Sequence, residues 1–529
     1  MRNLTRQRSL LSALCLLILG ASSPAMAQAV NADETCAPPE QEQDKYKQLR
    51  TLSLELRGHP PSAEEYAELE QHDGVPEAWL DEWLGSESFA ERTVRWHKSL
   101  LWNNVTGENL FNANSSMRIT NGLYWRSGRI ATDSRGRNIS CLNQPAEFDD
   151  DGEPVMWPQE DGTMREGFVR VAPYWNLDTT IKVCALDARD RLISASGTPC
   201  GERTTLTDPS CGCGPNLRFC ATGTQRRDIL EAMGEQIDHM VRDMILEGKS
   251  YETLFTDRYA KINGPLSYYW RYQTGVSATV VNRPVPMNTD LFPDLRFDQQ
   301  DEWVAVDHGE HHAGILTSAG YLLRFQTDRA RANQFYTNFL CQPFQPPPNG
   351  IQTNEEAAKE EPDLQQRDGC KYCHGLLEPA AAHWGRWPER GAGYLSQSTY
   401  PAYSEQCESC AKTGLRCSSA CSSYYVRDID DDRMESYAGY LSSYLWLSDK
   451  HRPNVEQGPK LLARSGFADG RLSKCIARQS AEHLLGRELT SSEQDELLPQ
   501  LTRAFASSDY NYAELVRAIV TSPAFRRVR

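Results

Sequence analysis

Apolar residues recur at helical spacing along much of this chain, with one long stretch where the rhythm is lost. Over residues 45–102 the pattern is that of short amphipathic helices. Trp79, Leu80, Trp83 and Leu84 share one face, followed more loosely by Phe89, Val94, Trp96, Leu100 and Leu101, an aromatic stripe that reads as core. Pro60-Pro61-Ser62 opens one of these helices, and Ser62 with Glu65 has capping-box spacing. Over residues 103–224 Asn, Gly, Ser, Thr and Asp dominate and apolar runs are short. Six cysteines appear there: Cys141, Cys184, Cys200, Cys211, Cys213 and Cys220. This predicts an irregular, β-containing insertion held by disulfides.

Helical periodicity returns at Arg226. Ile229, Met233, Ile237, Met240, Val241 and Met244 line one face before Gly248 stops it. That methionine-rich face with His239 reads as core rather than as a metal site. Residues 314–340 are again mostly helical and end in Cys341-Gln342-Pro343-Phe344-Gln345-Pro346-Pro347-Pro348, a stiff extended segment. A polar linker covers residues 352–367. The last sixty residues are helical: Thr490 with Glu493 and Asn511 with Glu514 have capping-box spacing, and Leu515, Ile519 and Val520 form a stripe.

The N-terminus bears on compartment. Arg2, Arg6 and Arg8 precede a short apolar run over residues 10–19, and Ala25-Met26-Ala27 gives the small-x-small pattern of signal-peptidase cleavage before Gln28. Cys15 lies in the apolar run without a lipobox. The run is too short for a stable bilayer span, and no later segment approaches roughly 20 apolar residues. The mature chain is therefore expected to be soluble and periplasmic, or exported further. A net charge of −16 over 529 residues disfavours nucleic acid and anionic lipid as partners. Sixteen cysteines fit an oxidising compartment, where they read as disulfides plus special sites.

The chemistry-bearing motif is Cys370-Lys371-Tyr372-Cys373-His374, the C-x-x-C-H pattern of c-type haem attachment. Two thiols on one helical turn each add to a porphyrin vinyl group, and the next residue points its imidazole at the iron as proximal ligand. The competing reading is a Cys370–Cys373 disulfide or zinc site with an incidental His374. Cys407-Glu408-Ser409-Cys410 is followed by Ala411, so one haem is expected. Met434 is the leading distal ligand, with His383, His451, His483 or an open position as rivals. The cluster Cys407, Cys410, Cys417 and Cys421 is expected to form two local disulfides rather than a zinc or iron–sulfur site. His308, His311 and His312 read as an ordinary polar loop ahead of a metal site. Nucleotide loops, a nucleophile elbow and a metalloprotease pair are missing from the sequence.

The order of segments resembles a family. Leu56-Arg57-Gly58-His59-Pro60-Pro61-Ser62-Ala63-Glu64-Glu65 and Phe89-Ala90-Glu91-Arg92 resemble its helical opening. Gly314-Ile315-Leu316-Thr317 and Leu340-Cys341-Gln342-Pro343 resemble the segment before its C-x-x-C-H. Leu485-Gly486-Arg487-Glu488-Leu489-Thr490 and Ile519-Val520-Thr521-Ser522-Pro523-Ala524-Phe525-Arg526 resemble its closing domain. The family is that of the large cytochrome-c-type proteins abundant in planctomycetes and myxobacteria, built from domains of unknown function. The resemblance covers residues 45–102 and 226–529 and implies a mostly helical, haem-binding protein with presumed electron transfer. The chain departs from the family's Asp-Pro-x-Gly after the motif, where Glu378-Pro379-Ala380-Ala381 stands, and in its insertion and four-cysteine cluster.

Together these readings predict a mainly α, multidomain protein. Its parts are a signal peptide (1–27), an N-terminal helical domain (28–102), a Cys-rich irregular/β insertion (103–224), a helical domain (225–350), a haem-binding cytochrome-c-like region (351–450) and a C-terminal helical domain (451–529). The expected function is one-electron transfer through one covalent haem c to a redox partner protein. The alternatives are a haem-coupled oxidoreductase acting on a small substrate and a non-catalytic, disulfide-stapled envelope module.

Overall fold

The first helices show how local sequence sets the frame. In the computed structural model, Lys45–Arg57 starts at Asp44, whose side chain accepts from the Tyr46 and Lys47 amides, and stops at Gly58 in the left-handed region. The Gly58 N–H there donates to the Ser53 and Leu54 carbonyls, a left-handed helix ending that glycine adopts without a Cβ penalty. Ser62 and Glu65 make the expected reciprocal capping box at Ala63–Leu69, and Glu65 also takes a two-pronged bond from Arg57 at 2.6 and 2.9 Å. Helices Glu77–Leu84 and Glu87–Leu101 come next. The structure describes residues 42–527 apart from 129–134, 137, 275–282, 345–360 and 430. The signal-peptide assignment, Cys15, Cys36, and most of the proline segment and polar linker lie outside the described residues.

The class is mainly α, as the periodicity predicts: about 47% helical, with 18 α-helices and a few small sheets among the described residues. The longest helix among the described residues, Gly223–Leu246, is the spine. It buries Ile229, Met233, Ile237, Val241 and Met244, so the methionine face is core. His239 lies half-buried against the Trp303 ring at 4.2 Å. The spine packs on Glu87–Leu101 and on Ala319–Arg324. Gly320 permits the second contact, because a Cβ there would sit 2.5 Å from the Met233 carbonyl oxygen.

Residues 43–526 form one compact unit, whose main apolar core draws on both ends of it, beside four smaller clusters among the described residues, one within 382–455 and three in the insertion. Leu49 and Leu56 from the first helix, Phe255, Phe335, Trp384, Ile476 and Phe525 all belong to the main core. Segments assigned to separate domains in the sequence thus contribute side chains to the main core. The Cys341–Cys475 disulfide ties two of them across 134 residues. Thr490 and Glu493 form the expected capping box. Asn511 caps the Glu514 amide, but the reciprocal bond of a box is replaced by pairing of Glu514 with Arg517.

The insertion is built as expected from short strands and disulfides. Strands Met117–Thr120, Leu123–Arg126, Ile181–Cys184 and Phe168–Val171 lie side by side in that order, the middle pair parallel and the others antiparallel. Cys141–Cys184, Cys200–Cys211 and Cys213–Cys220 staple it. Its interior is unusually charged. Arg126 and Arg135 both reach Asp187, at 3.0 and 2.6 Å, and Arg135 also pairs with Glu166. Buried charges are tolerated when paired in this way.

Candidate functional site

Residues 361–370 lead into the motif through a series of tight local bonds. The Asp363 carboxylate accepts from the Gln365 amide at 2.9 Å, and its carbonyl accepts from the Gln366 and Arg367 amides. Arg367 Nε donates back to the Glu361 carbonyl at 2.7 Å. Gly369, in the left-handed region, then turns the chain into helix Lys371–Ala381. The Cys373 and His374 amides both donate to the Cys370 carbonyl, at 3.1 and 3.0 Å. Cys370, Cys373 and His374 thus occupy one turn, each half-exposed. The far end of the same helix is anchored: Pro379, Ala380 and Ala381 are buried, and the next turn sends Trp384 into the main core, where its Nε1–H donates to the Leu316 carbonyl at 3.0 Å.

The cysteine pairing separates this turn from the rest. Of fourteen described cysteines, twelve form six disulfides, and Cys370 and Cys373 are the two outside them. The four-cysteine cluster forms Cys407–Cys421 and Cys410–Cys417, as expected, the first joining helices Glu405–Thr413 and Ser419–Tyr424 and the second tying the loop between them to the first helix. Among the described residues, the one cluster of three candidate metal ligands is Cys141, Glu166 and Cys184. Its two sulfurs are joined in a disulfide, which removes the thiolates a metal needs.

His374 is oriented by a residue that the motif alone does not name. Its Nδ1 lies 2.5 Å from Glu378 Oε1. A carboxylate only accepts, so Nδ1 carries the proton and the Nε2 lone pair is left for a ligand. Glu378 is in turn gripped by Arg329 from helix Asp328–Phe339, at 2.7 and 3.2 Å. The spacing of His374 and Glu378, four residues apart on a helix, is a readable signal. Arg329 carries none in sequence.

A cleft of about 390 Å³ runs along the face that carries Glu378, Ala381 and Ala382 and is closed by Leu395, Tyr424 and Leu447. His374 lies on that helical face, one turn before Glu378. The small residues keep the cleft open. At Gly385 a Cβ would stand 2.5 Å from that of Ser443, whose buried hydroxyl has no partner. Asp328, in the cleft wall, has its carboxyl pushed up to about 8 by burial, which outweighs the attraction of Arg331. Two half-exposed thiols and an imidazole on one turn, with Nδ1 taken by Glu378, are a residue set that fits a covalently held haem, while the lining of the cleft begins one turn further on, at Glu378.

Met434, the expected distal ligand, is half-buried on the short helix Asp432–Tyr437. That helix lies beside the lead-in to the motif: Arg433 pairs with Glu361 at 3.1 Å, and Gln365 donates to the Trp446 carbonyl at 3.0 Å. His383 is buried with Nδ1 on the Gly458 carbonyl at 2.9 Å, and burial pushes its imidazole down to about 4. His451 is half-exposed, with Nδ1 3.2 Å from Ser448 Oγ. His483 stacks on Trp96 at 5.6 Å. The histidine trio is not the polar loop the sequence suggests. His308 and His312 are fully buried with rings 4.8 Å apart, and only His311 reaches the surface, bonded to the Tyr394 hydroxyl at 3.1 Å. The strand Val304–Asp307 precedes them and carries the chain into the interior.

A family model described as a protein of unknown function (DUF1585) matches residues 467–525, the last helices of the chain. Neither the curated proteins nor the solved structures contain a match to the chain. Six disulfides fit a periplasmic or extracellular protein, and no helix among the described residues is long and apolar enough to cross a membrane.

Proposed function

We propose that this chain is an exported monohaem c-type cytochrome-like protein that passes single electrons to a periplasmic redox partner. Cys370 and Cys373 are the attachment thiols, His374 the proximal ligand and Met434 the distal ligand. The observation that carries the reading is the motif turn itself. Both cysteines and His374 share one turn of helix, and the His374–Glu378 bond selects the tautomer that leaves Nε2 for iron.

Two further observations support it. The DUF1585 match falls where the resemblance to planctomycete and myxobacterial cytochrome-c-type proteins places their closing domain, and this domain is one found in cytochrome-c-like proteins. The twelve other described cysteines are bridged among themselves, which sets the motif turn apart from the disulfide framework. Bound haem supplies a one-electron iron couple, whose potential the axial ligands, burial and hydrogen bonds set. The protein's own part is to attach, orient and shield.

The test is a haem-stained denaturing gel of the full chain, exported from a host competent for c-type maturation, beside a Cys370→Ala/Cys373→Ala variant. Stain that migrates with the wild type and is absent from the variant is the expected result. An exported, folded wild-type chain without stain would overturn the reading.

A further inference from the structure

One turn after the motif the Glu378 carboxylate reaches back to His374. We propose that Glu378 and Arg329 are positioning residues that set the reduction potential of the iron held by His374, an inference that rests on the haem reading above.

The geometry is a three-residue chain. His374 Nδ1 donates to Glu378 Oε1 at 2.5 Å. The same oxygen accepts from Arg329 Nε at 2.7 Å, and Oε2 accepts from Arg329 Nη2 at 3.2 Å. The side chains of His374 and Glu378 are 22% and 21% exposed, so solvent screens this pair less than it screens an ordinary surface ion pair. Packing of helix Lys371–Ala381 against Asp328–Phe339 holds Arg329 opposite Glu378. Pro379 is buried directly after Glu378 and fixes the backbone there.

The chemistry has a sign for each residue. A histidine ligand that donates its second N–H to a carboxylate becomes a stronger donor, because the bond shifts electron density towards the ring. A stronger donor favours ferric over ferrous iron and lowers the potential. Arg329 draws on the same carboxylate oxygen and so weakens its pull on the His374 proton. Removing Glu378 and removing Arg329 should therefore move the potential in opposite directions. A pair that merely ties two helices together would loosen the site in either variant, with no reason for opposite signs.

Plain Coulomb attraction also predicts opposite signs, so the test needs a variant that keeps charge and loses reach. Glu378→Asp does so, shortening the side chain by one methylene. The holoprotein, produced with c-type maturation, would be compared with Glu378→Gln, Glu378→Asp and Arg329→Met. Covalent haem would be quantified by the pyridine-haemochrome spectrum, the midpoint potential by spectroelectrochemical titration, and the hydrogen bond by the NMR position of the His374 Nδ1 proton in the reduced protein. Full haem content is expected throughout. Both Glu378 variants should raise the potential and Arg329→Met lower it. The expected shift is about tenfold in the ferrous-to-ferric ratio at fixed potential, or about 59 mV for a one-electron couple. The Nδ1 proton should move upfield in both Glu378 variants. A potential and proton position unchanged in Glu378→Asp, with haem fully attached, would overturn this inference and leave the haem reading standing. A wild type without covalent haem would overturn both. Should Glu378→Gln lose haem, Glu378→Asp and Arg329→Met still decide the matter.

Discussion

Two turns of this protein carry the same C-x-x-C spacing and meet opposite fates. Cys407 and Cys410 lie on helix Glu405–Thr413, and Cys421 from a second short helix and Cys417 from the loop between the two helices stand opposite them, so both sulfurs are bridged. Cys370 and Cys373 lie on helix Lys371–Ala381, outside the six bridges, with His374 next in line. The spacing does not decide the chemistry. What differs is the residue after the second cysteine and the element packed across the helix. At the first turn Ala411 follows and Cys421 and Cys417 close the staple, whereas on the haem reading proposed above His374 and its arginine-backed carboxylate make a ligand site.

The largest expected effect separates the two turns outright. Cys370→Ala/Cys373→Ala should abolish covalent haem while leaving the far-ultraviolet circular dichroism of the fold intact. Cys407→Ala/Cys421→Ala should keep the haem and cost stability, about 3 kcal/mol on the chain-entropy estimate for a loop of this size. Haem lost from the second variant and kept by the first would reverse the comparison. The bridge across the main core, Cys341–Cys475, closes a far longer loop. Cys341→Ser/Cys475→Ser should cost more, about 5 kcal/mol on the same basis, read as a lower urea midpoint.

The histidines divide similarly. Burial pushes His97, His308 and His383 down to about 4, so the fold holds them neutral where the unfolded chain takes up protons. Their stability contribution is complete above the unfolded value of about 6.5 and is lost as pH falls towards 4. The melting temperature should fall through that window. His97→Gln should flatten the slope, since its ring bonds the Thr93 carbonyl and the Tyr251 hydroxyl inside the core. A slope unchanged by His97→Gln would show that other groups set it. The smallest effect concerns the distal side. Met434→Ala should leave attachment intact and change the iron's spin state in the visible spectrum. An unaltered spectrum would remove Met434 as the ligand.

Much of the frame is legible in the sequence because its signals are local. Ser62 with Glu65 and Thr490 with Glu493 form their capping boxes from residues three apart, and the spine's apolar face follows from its period. The motif turn is legible for the same reason. Long-range placement is not. Arg329 meets Glu378 across 49 residues, with nothing in either neighbourhood to announce it. His308 and His312 look polar in sequence, yet the chain carries them inside. The main core that joins the first helices to the last is likewise a property of packing, invisible in segments read one at a time. In the insertion the cysteines are legible and their partners are not, since spacing alone allows many pairings.

The central claim concerns the atoms that Cys370 and Cys373 bond to, and a non-reducing peptide map of the exported chain addresses it directly. Protease fragments would be separated without reductant and identified by mass. The account predicts one fragment spanning residues 370–374 that carries a single haem through two thioether links, beside bridged fragments for Cys407–Cys421 and Cys410–Cys417. A fragment of the same residues that lacks haem and is closed by a Cys370–Cys373 disulfide would contradict it.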